Sequence, residues 1–431
     1  MFTSLFIAAL LLTTLVKVWL SSRQMRFVTA HRGAVPARFS ERVTLAAHQK
    51  AADYTIARAR VGMIETLVLA SLLVAFTLLG GLQSIDDVVA QWITDAHPMW
   101  RQLAFVGAVS VIYSIVDLPF SLYRQFVLEA RFGFNRMTMA LYLADMVKNT
   151  VLGIALGLPL LALVLWLMQA SGPLWWLYAW FVWMAFNLLL LWLFPTFIAP
   201  LFNKFQPLAD TSLKARIEDL LKRCGFASKG VFVMDGSKRS AHGNAYFTGL
   251  GAAKRIVFFD TLIAKLTPDE IEAVLAHELG HFAKKHVVKR IVWVFAMSLV
   301  GLALLGWLAQ QPWFYLGLGT DPTIATRNAF ALMLFFLVLP VFLFPLSPIS
   351  SFVSRRHEFE ADAYAAAHAD PADLIRALVK LYEDNASTLT PDPLHSTFYD
   401  SHPPAALRIG RLESYAPRAR GSVLSPQPSA T

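Results

Sequence analysis

The chain has 431 residues, of which 56% are hydrophobic and only 16% charged, whereas soluble domains run near half apolar with about a quarter charged residues. That balance excludes an ordinary soluble enzyme and describes a polytopic membrane protein. The net charge of +9 then reads as the Lys/Arg surplus of cytoplasmic loops, with no nucleic-acid partner expected. The single cysteine, Cys224 in the polar stretch "KRCGF", excludes an internal disulfide and any all-cysteine metal site.

Apolar runs of about 18 residues or more mark membrane spans. They fall at about Phe2–Leu20, Met63–Leu82, Leu103–Tyr123, Thr150–Gln169, Leu174–Ile198, Ile291–Ala309 and Phe330–Ile349, about seven in all. The first lacks the basic start and small-residue cleavage site of a signal peptide and reads as an uncleaved span. The loop Ser21–Val61 carries eight Lys and Arg, from Arg23 to Arg60, and belongs on the cytoplasmic side. The loop before Leu103, with Asp86, Asp87 and Asp95, belongs outside; the next, with Arg124, Arg131, Arg136 and Lys148, is inside again. On this count the Lys/Arg-rich segment Ala199–Arg290 and everything after Ile349 share the cytoplasmic face, with the N-terminus outside. Glu65 and Asp117 sit within apolar runs, where an unpaired charge is costly; they require a wet interior or a partner, unless Glu65 lies at a membrane edge. Trp175, Trp176 and Trp180 read as interface anchors.

Between the fifth and sixth spans the pattern turns mixed α/β. "SLKARIEDLLKRCGF" has helical period with Gly225 as a stop, and "GVFVMDG", "GNAYFTGL" and "AKRIVFFD" read as three short strands. The next helix opens on Thr267, with Pro268 at its first position and Glu270 placed to complete a capping box. It contains "VLAHELGHFAKKH" (Val274–His286) and is expected to run on towards the sixth span. Residues four apart share a helix face, so His277 and His281 can both address one zinc ion, while Glu278 between them can serve as general base. His286, five positions after His281, turns off that face and is left out. Lys284, Lys285, Lys289 and Arg290 can hold this helix at the headgroup level of the bilayer.

A zinc site needs a third ligand. After the seventh span, "SRRHEFEADAYAAA" is again helical, and Glu358 and Asp362 share a face while Glu360 points elsewhere. One carboxylate would complete a His/His/Glu site and the other would fix a ligand imidazole through its ring N–H. The same spacing suits a solvated face on which Arg355 and Arg356 pair with glutamates.

The ordered set of motifs resembles the type I CAAX prenyl proteases, integral-membrane zinc metalloproteases that remove the last three residues of prenylated proteins. Those motifs are "EARFGFNR" (Glu129–Arg136), "DGSKRSAHGNAYFTG" (Asp235–Gly249), "KRIVFFDTL" (Lys254–Leu262), "HELGH", "SRRHEFEADAYA" and "DPLHSTFYDSHPP" (Asp392–Pro404). HExxH alone names only a broad class of metalloproteases; the series covers most of the chain and is far more specific. The resemblance implies Glu358 as third zinc ligand, Asp362 as the acid behind the ligands, and Asn244 and Ala245 as the strand edge that receives the substrate backbone. It also implies that His402 and Arg408 lie near the substrate's C-terminal end, and that seven helices form a barrel around a water-filled chamber with the zinc at its cytoplasmic end. Read from spacing alone, His402 is a turn residue in "SHPP" and Arg408 a solvated helix charge.

The expected organisation is residues 1–200 for spans one to five, 201–290 for a cytoplasmic zincin-like domain, 291–350 for spans six and seven, 351–415 for the part completing the site, and 416–431 for a disordered tail. The fold class is thus mainly α, polytopic, with about seven transmembrane helices and an α/β metalloprotease domain. The expected activity is zinc-dependent hydrolysis of peptide bonds near the C-terminus of peptide or protein substrates, prenylated CAAX proteins among them, beside the lipid bilayer. Catalysis would fall to Glu278, His402 and Asp362, and one Zn2+ would be held by His277, His281 and Glu358. Two rivals remain: a quality-control membrane protease with the same catalytic residues, and a non-catalytic transporter or scaffold, for which an intact Glu278 would have no use. The Ala- and Arg-rich composition leans towards a bacterial inner membrane over the endoplasmic reticulum.

Overall fold

The computed structural model describes residues 1–93, 97–226, 230–248, 255–323 and 327–415, with only the backbone of Phe247 and Thr248. Asp95 of the acidic loop, Gly249 and Lys254 of the strand motifs, and the Pro/Ser-rich tail from Ala416 lie outside the described residues.

Seven helices are long and apolar enough to cross a membrane: Phe2–His31, Leu45–Phe76, Pro98–Arg131, Met139–Ala170, Gly172–Phe202, His286–Leu308 and Arg327–His368. All exceed the roughly 20 residues a bilayer requires, so most project past the apolar layer as rods. The seventh turns through a short 3-10 segment, Phe344–Leu346, and continues as the helix Ser347–His368, which carries Glu358 and Asp362. The site's carboxylates therefore ride on the extension of a membrane helix.

The interior is open. In six of the seven spans the most apolar stretch is at most 22% buried, and in Gly172–Phe202 none of it is. A solid bundle buries one stripe of every helix; helices accessible on both faces stand around a cavity. Tight packing is concentrated in one region, where Phe6, Leu165, Tyr315 and Phe330 are fully enclosed and Phe105 stacks on Phe330 at 4.4 Å. Glu65 and Asp117 have found their partner: Arg124, on a π-helical turn after Pro119, reaches them at 2.5 and 3.7 Å. The tryptophans expected as interface anchors serve packing instead. Trp175 is buried, Trp176 lies against Gly306, and the Trp180 Nε1–H donates to the Phe295 carbonyl at 2.9 Å. Gly306 leaves room for the Trp176 ring against the sixth span.

The extramembrane part contains a four-stranded sheet: β1 (Phe205–Pro207), β2 (Val231–Met234), β3 (Ala245–Thr248) and β4 (Arg255–Phe259), in the order β1-β2-β4-β3. β2 and β4 are parallel, the other pairs antiparallel, and β3 forms an edge. β1 escaped the sequence reading because three residues are too few to show alternation. The buried residues Ile256 and Phe258 of β4 pack with Ile217 and Leu220 of the helix Thr211–Arg223 and with Leu275 and Leu279 of the HELGH helix, Pro268–Ala283. The first span is fastened to the C-terminal region as well: Arg23 grips Asp392 at 2.9 Å and the Gln24 side chain accepts the Asp392 N–H at 2.7 Å.

The HELGH helix does not run on into the sixth span. It ends at Ala283, Lys285 takes a left-handed conformation with φ 57°, and a new helix starts at His286. A non-glycine residue there costs of order 1–3 kcal/mol and persists only where surrounding contacts hold it.

The sixth span's approach to Trp176 predicts an asymmetry between two of its glycines. A Cβ on Gly306 would lie 2.6 Å from the Trp176 ring, whereas one on Gly301 meets nothing within 4 Å. Gly306→Ala should cost about 1–3 kcal/mol and lower the melting temperature in detergent by a few degrees. Gly301→Ala, measured alongside, should leave it unchanged or slightly raised.

Candidate active site

The Thr267 hydroxyl and the Glu270 carboxylate cap the start of the HELGH helix reciprocally, as the sequence implied. Lys380 pins Glu270 at 2.7 Å, so the helix cannot rotate freely about its axis. Its inner face then meets the helix Ser347–His368 at very short range. A Cβ on Gly280 would stand 2.9 Å from Ala361 Cα and 3.1 Å from the Ala361 carbonyl oxygen. Gly280 and Ala361 together allow two backbones to approach closely enough for short side chains to converge between them.

What converges is His277, His281 and Glu358. The two Nε2 atoms are 3.3 Å apart, and they stand 3.5 and 3.4 Å from the two oxygens of Glu358. Glu358 Oε2 is buried and accepts no hydrogen bond, an expensive state for a carboxylate unless a cation satisfies it. Behind this cluster, Asp362 Oδ1 lies 2.9 Å from His277 Nδ1. Arg408 clamps Asp362 through both forks, Nη2 to Oδ1 at 2.6 Å and Nε to Oδ2 at 2.9 Å. All of Asp362, Glu358 and Arg408 are withdrawn from solvent. Truncating one partner of such a buried pair typically costs about 3–5 kcal/mol.

The electrostatics follow. Burial opposes a charge on His277, but Asp362 and Glu358 outweigh it and raise its pKa to about 9, the behaviour of an imidazole among anions that require a cation. Burial raises Glu278 above the usual carboxylate range, moderated by His277 and His281. His402 stands 3.5 Å from Glu358 Oε1. Although 62% of its side chain is accessible, desolvation lowers its pKa, opposed by the nearby Glu358 carboxylate. Burial also opposes the charge on Arg408, but Asp362 holds it firmly cationic.

Glu278, His402 and Arg408 line one cleft of about 330 Å³ together with Asn244, Ala245 and Tyr382. The cleft thus joins the β3 edge to Glu278 of the HELGH helix. A larger recess, about 410 Å³, is formed by Arg216, Arg223, Asp269 and Glu272, which pair with one another and present no convergent unsatisfied group.

Two family descriptions divide the chain between them: "CAAX prenyl protease N-terminal, five membrane helices" matches residues 24–204, and "Peptidase family M48" matches residues 207–416. CAAX prenyl protease 1 of Saccharomyces cerevisiae is 39% identical over 330 residues, 73% of this chain and 72% of that protein. The chain belongs to the CAAX prenyl protease family within peptidase family M48. Its homologue in Caenorhabditis elegans is 32% identical across 95% of this chain and 98% of that one. The crystal structure of Ste24p from S. mikatae superposes with a TM-score of 0.90 at 33% identity, covering 96% of this chain and 99% of that chain. This M48 protein is a multi-pass membrane metalloendopeptidase, and it acts on peptide or protein substrates.

Every site residue named from the sequence lies in or around this cleft, but one stands differently from its spacing-based reading. Arg408 is no solvated helix charge: it is 5% exposed and committed to Asp362, which leaves mainly Nη1, 3.6 Å from Glu358, for other contacts. Of the alternative in which Arg355 and Arg356 pair with glutamates on a solvated face, only Arg356–Glu360 is found; Arg355 donates to the Asp400 and Ser396 carbonyls and steadies the segment carrying His402. Sequence reasoning set aside His286 and Glu360: the break at Lys285 brings His286 back against His281, and Glu360, on the helix Ser347–His368, meets His286 from the other side.

Gly280→Ala should force the two helices apart at Ala361. About 1–3 kcal/mol of stability should be lost, and metal affinity, read by competition with a chromogenic chelator, should fall about tenfold or more because Glu358 withdraws from the histidine pair.

Proposed function

We propose that this protein is a zinc-dependent endopeptidase that cleaves near the C-terminus of its substrates, prenylated CAAX proteins among them, at the cytoplasmic face of its membrane. The separations among ligand atoms carry the reading. Zinc bonds of about 2.0–2.2 Å in a tetrahedron put neighbouring ligand atoms about 3.3–3.6 Å apart; the two Nε2 atoms are 3.3 Å apart, one Glu358 oxygen is 3.5 Å from His277 and the other 3.4 Å from His281, and one ligand atom from each residue lies within 4.8 Å of the others. The orphaned Glu358 oxygen and three ligands of mixed N and O type, leaving a fourth position for water, fit the catalytic form of such a site.

When bound there, zinc supplies Lewis acidity and brings the pKa of a water towards neutrality. The rest falls to the chain. Glu278, whose pKa burial raises, takes the proton of the attacking water and returns it to the leaving amine. His402, lining the same cleft, donates towards the oxygen that becomes negative. The substrate is laid as an extra strand along β3 at Asn244 and Ala245, held by backbone hydrogen bonds that tolerate many side chains, with the unoccupied edge of Arg408 near its terminal carboxylate. Asp362 and Arg408 keep His277 oriented. Residues 201–290 and 351–415 supply these groups, while the five spans before residue 200 and the two of 291–350 enclose the chamber.

The loop charges favour the cytoplasmic side, where basic residues gather. Composition favours a bacterial inner membrane and the eukaryotic origin of the named relatives favours the endoplasmic reticulum; the active face is the same in both. A CAAX substrate is supported by what the relatives are named for, and an intact Glu278 speaks against a scaffold or transporter.

Purified protein should cleave a prenylated CAAX peptide, lose that activity to a zinc chelator and recover it with added zinc. An unprenylated peptide cleaved equally well would remove the prenyl preference and favour the quality-control role. Glu278→Gln should retain zinc, measured by elemental analysis, while kcat falls about 10²–10⁴-fold; undiminished cleavage would overturn the role of Glu278.

A further inference from the structure

The two histidines of the metal cluster are anchored differently. His277 rests its outer nitrogen directly on Asp362. His281 Nδ1 meets no carboxylate; it lies 3.0 Å from Nδ1 of His286, whose Nε2 lies 3.0 Å from Glu360 Oε2. Glu360 Oε1 in turn accepts from Arg356 Nε at 3.1 Å.

Hydrogen-bond logic gives this chain one direction. A neutral imidazole carries one proton, so a His281 that offers Nε2 to a metal must carry its hydrogen on Nδ1. Two Nδ1 atoms at 3.0 Å need one donor and one acceptor, so His281 donates and His286 accepts. His286 then carries its own hydrogen on Nε2 and donates it to Glu360. The tautomers of both rings are thereby set by a carboxylate two bonds away.

The surroundings are built to hold His286 in that position. It is 4% exposed, and its ring stacks on His357 with centroids 4.0 Å apart and planes at 13°. The left-handed Lys285 ends the HELGH helix and turns the chain so that His286 comes back over His281. In a continuous helix the residue five positions on would face away from His281.

We propose that His286 is a positioning residue for the metal centre: its Nδ1 accepts the His281 Nδ1–H and, backed by Glu360, aims His281 Nε2 at Glu358 and His277. This rests on the reading of the cluster as a metal site. It assigns the two ligand imidazoles unequal supports, one carboxylate applied directly and one relayed through a second imidazole.

The test uses the full-length protein in detergent and reads binding, without turnover. Zinc affinity is measured by chelator competition, and the visible spectrum of the cobalt-substituted protein reports ligand geometry. His286→Leu should bind zinc about 10–100-fold more weakly and shift or weaken the cobalt bands. His286→Asn, whose amide oxygen can accept near the place of Nδ1, should recover most of the affinity and the native spectrum. Glu360→Ala, at a partly exposed position that does not threaten folding, should give a smaller loss of the same kind. Wild-type affinity and spectrum in both His286→Leu and Glu360→Ala would overturn the proposal while leaving the metal site intact. A loss in His286→Leu that His286→Asn does not recover would reduce His286 to a packing residue and overturn it too. A wild-type chain that takes up no zinc at all would remove both this role and the metal-site reading.

Discussion

The close crossing of two helices at Gly280 and Ala361 is the constraint on which the site depends. Histidine and glutamate side chains are short, and three of them can share one point only when their backbones are nearly in contact. The missing Cβ of Gly280 provides that approach, and Ala361, fully enclosed, supplies the matching small surface. A larger residue at either place would separate the donors, since close-packed interiors yield little. The same crossing couples the catalytic helix to the membrane, because the helix Ser347–His368 extends the seventh span.

Around that crossing the protein stacks charged groups in layers. Arg408 neutralises Asp362, Asp362 holds His277, and the remaining negative charge of Glu358 faces the point where the histidines meet. Each buried ion has a partner except the oxygen directed into the cluster, so the excess is placed where a cation can use it. The open interior solves a related problem at the level of the bundle. Glu65 and Asp117 are tolerable in membrane helices because Arg124 pairs with them and the helices bound a cavity in place of a packed core.

Much of this was legible in the linear pattern. Spans follow from long apolar runs, the capping box from Thr267, Pro268 and Glu270, and the sharing of one face by His277 and His281 from a spacing of four. Those signals are local and repeat with the period of the element that carries them. The readings that went astray concern contacts between elements. Trp176 and Trp180 resemble interface anchors until Gly306 is seen to make room for the first and Phe295 to bind the second. Arg408 resembles a solvated charge until Asp362 is found beside it. His286 was discarded by helical geometry, a sound rule applied to a helix that ends at Ala283. No glycine or proline marks that break, so nothing in the letters announced it.

The sequence by itself determined which chemistry is available: two imidazoles and a base on one capped helix, carboxylates on another, and enough apolar length for seven crossings. Composition and periodicity are properties of the chain before it folds, and they survive whatever the rest of it does. Only the tertiary structure decided that Glu358 faces the histidines, that Asp362 is buried under Arg408, and that His286 returns to His281. The first two depend on distances between residues tens of positions apart and the third on a break in a helix, and these come from steric fit at a glycine, the pairing of buried charges and one left-handed backbone turn, none of which has a period to read.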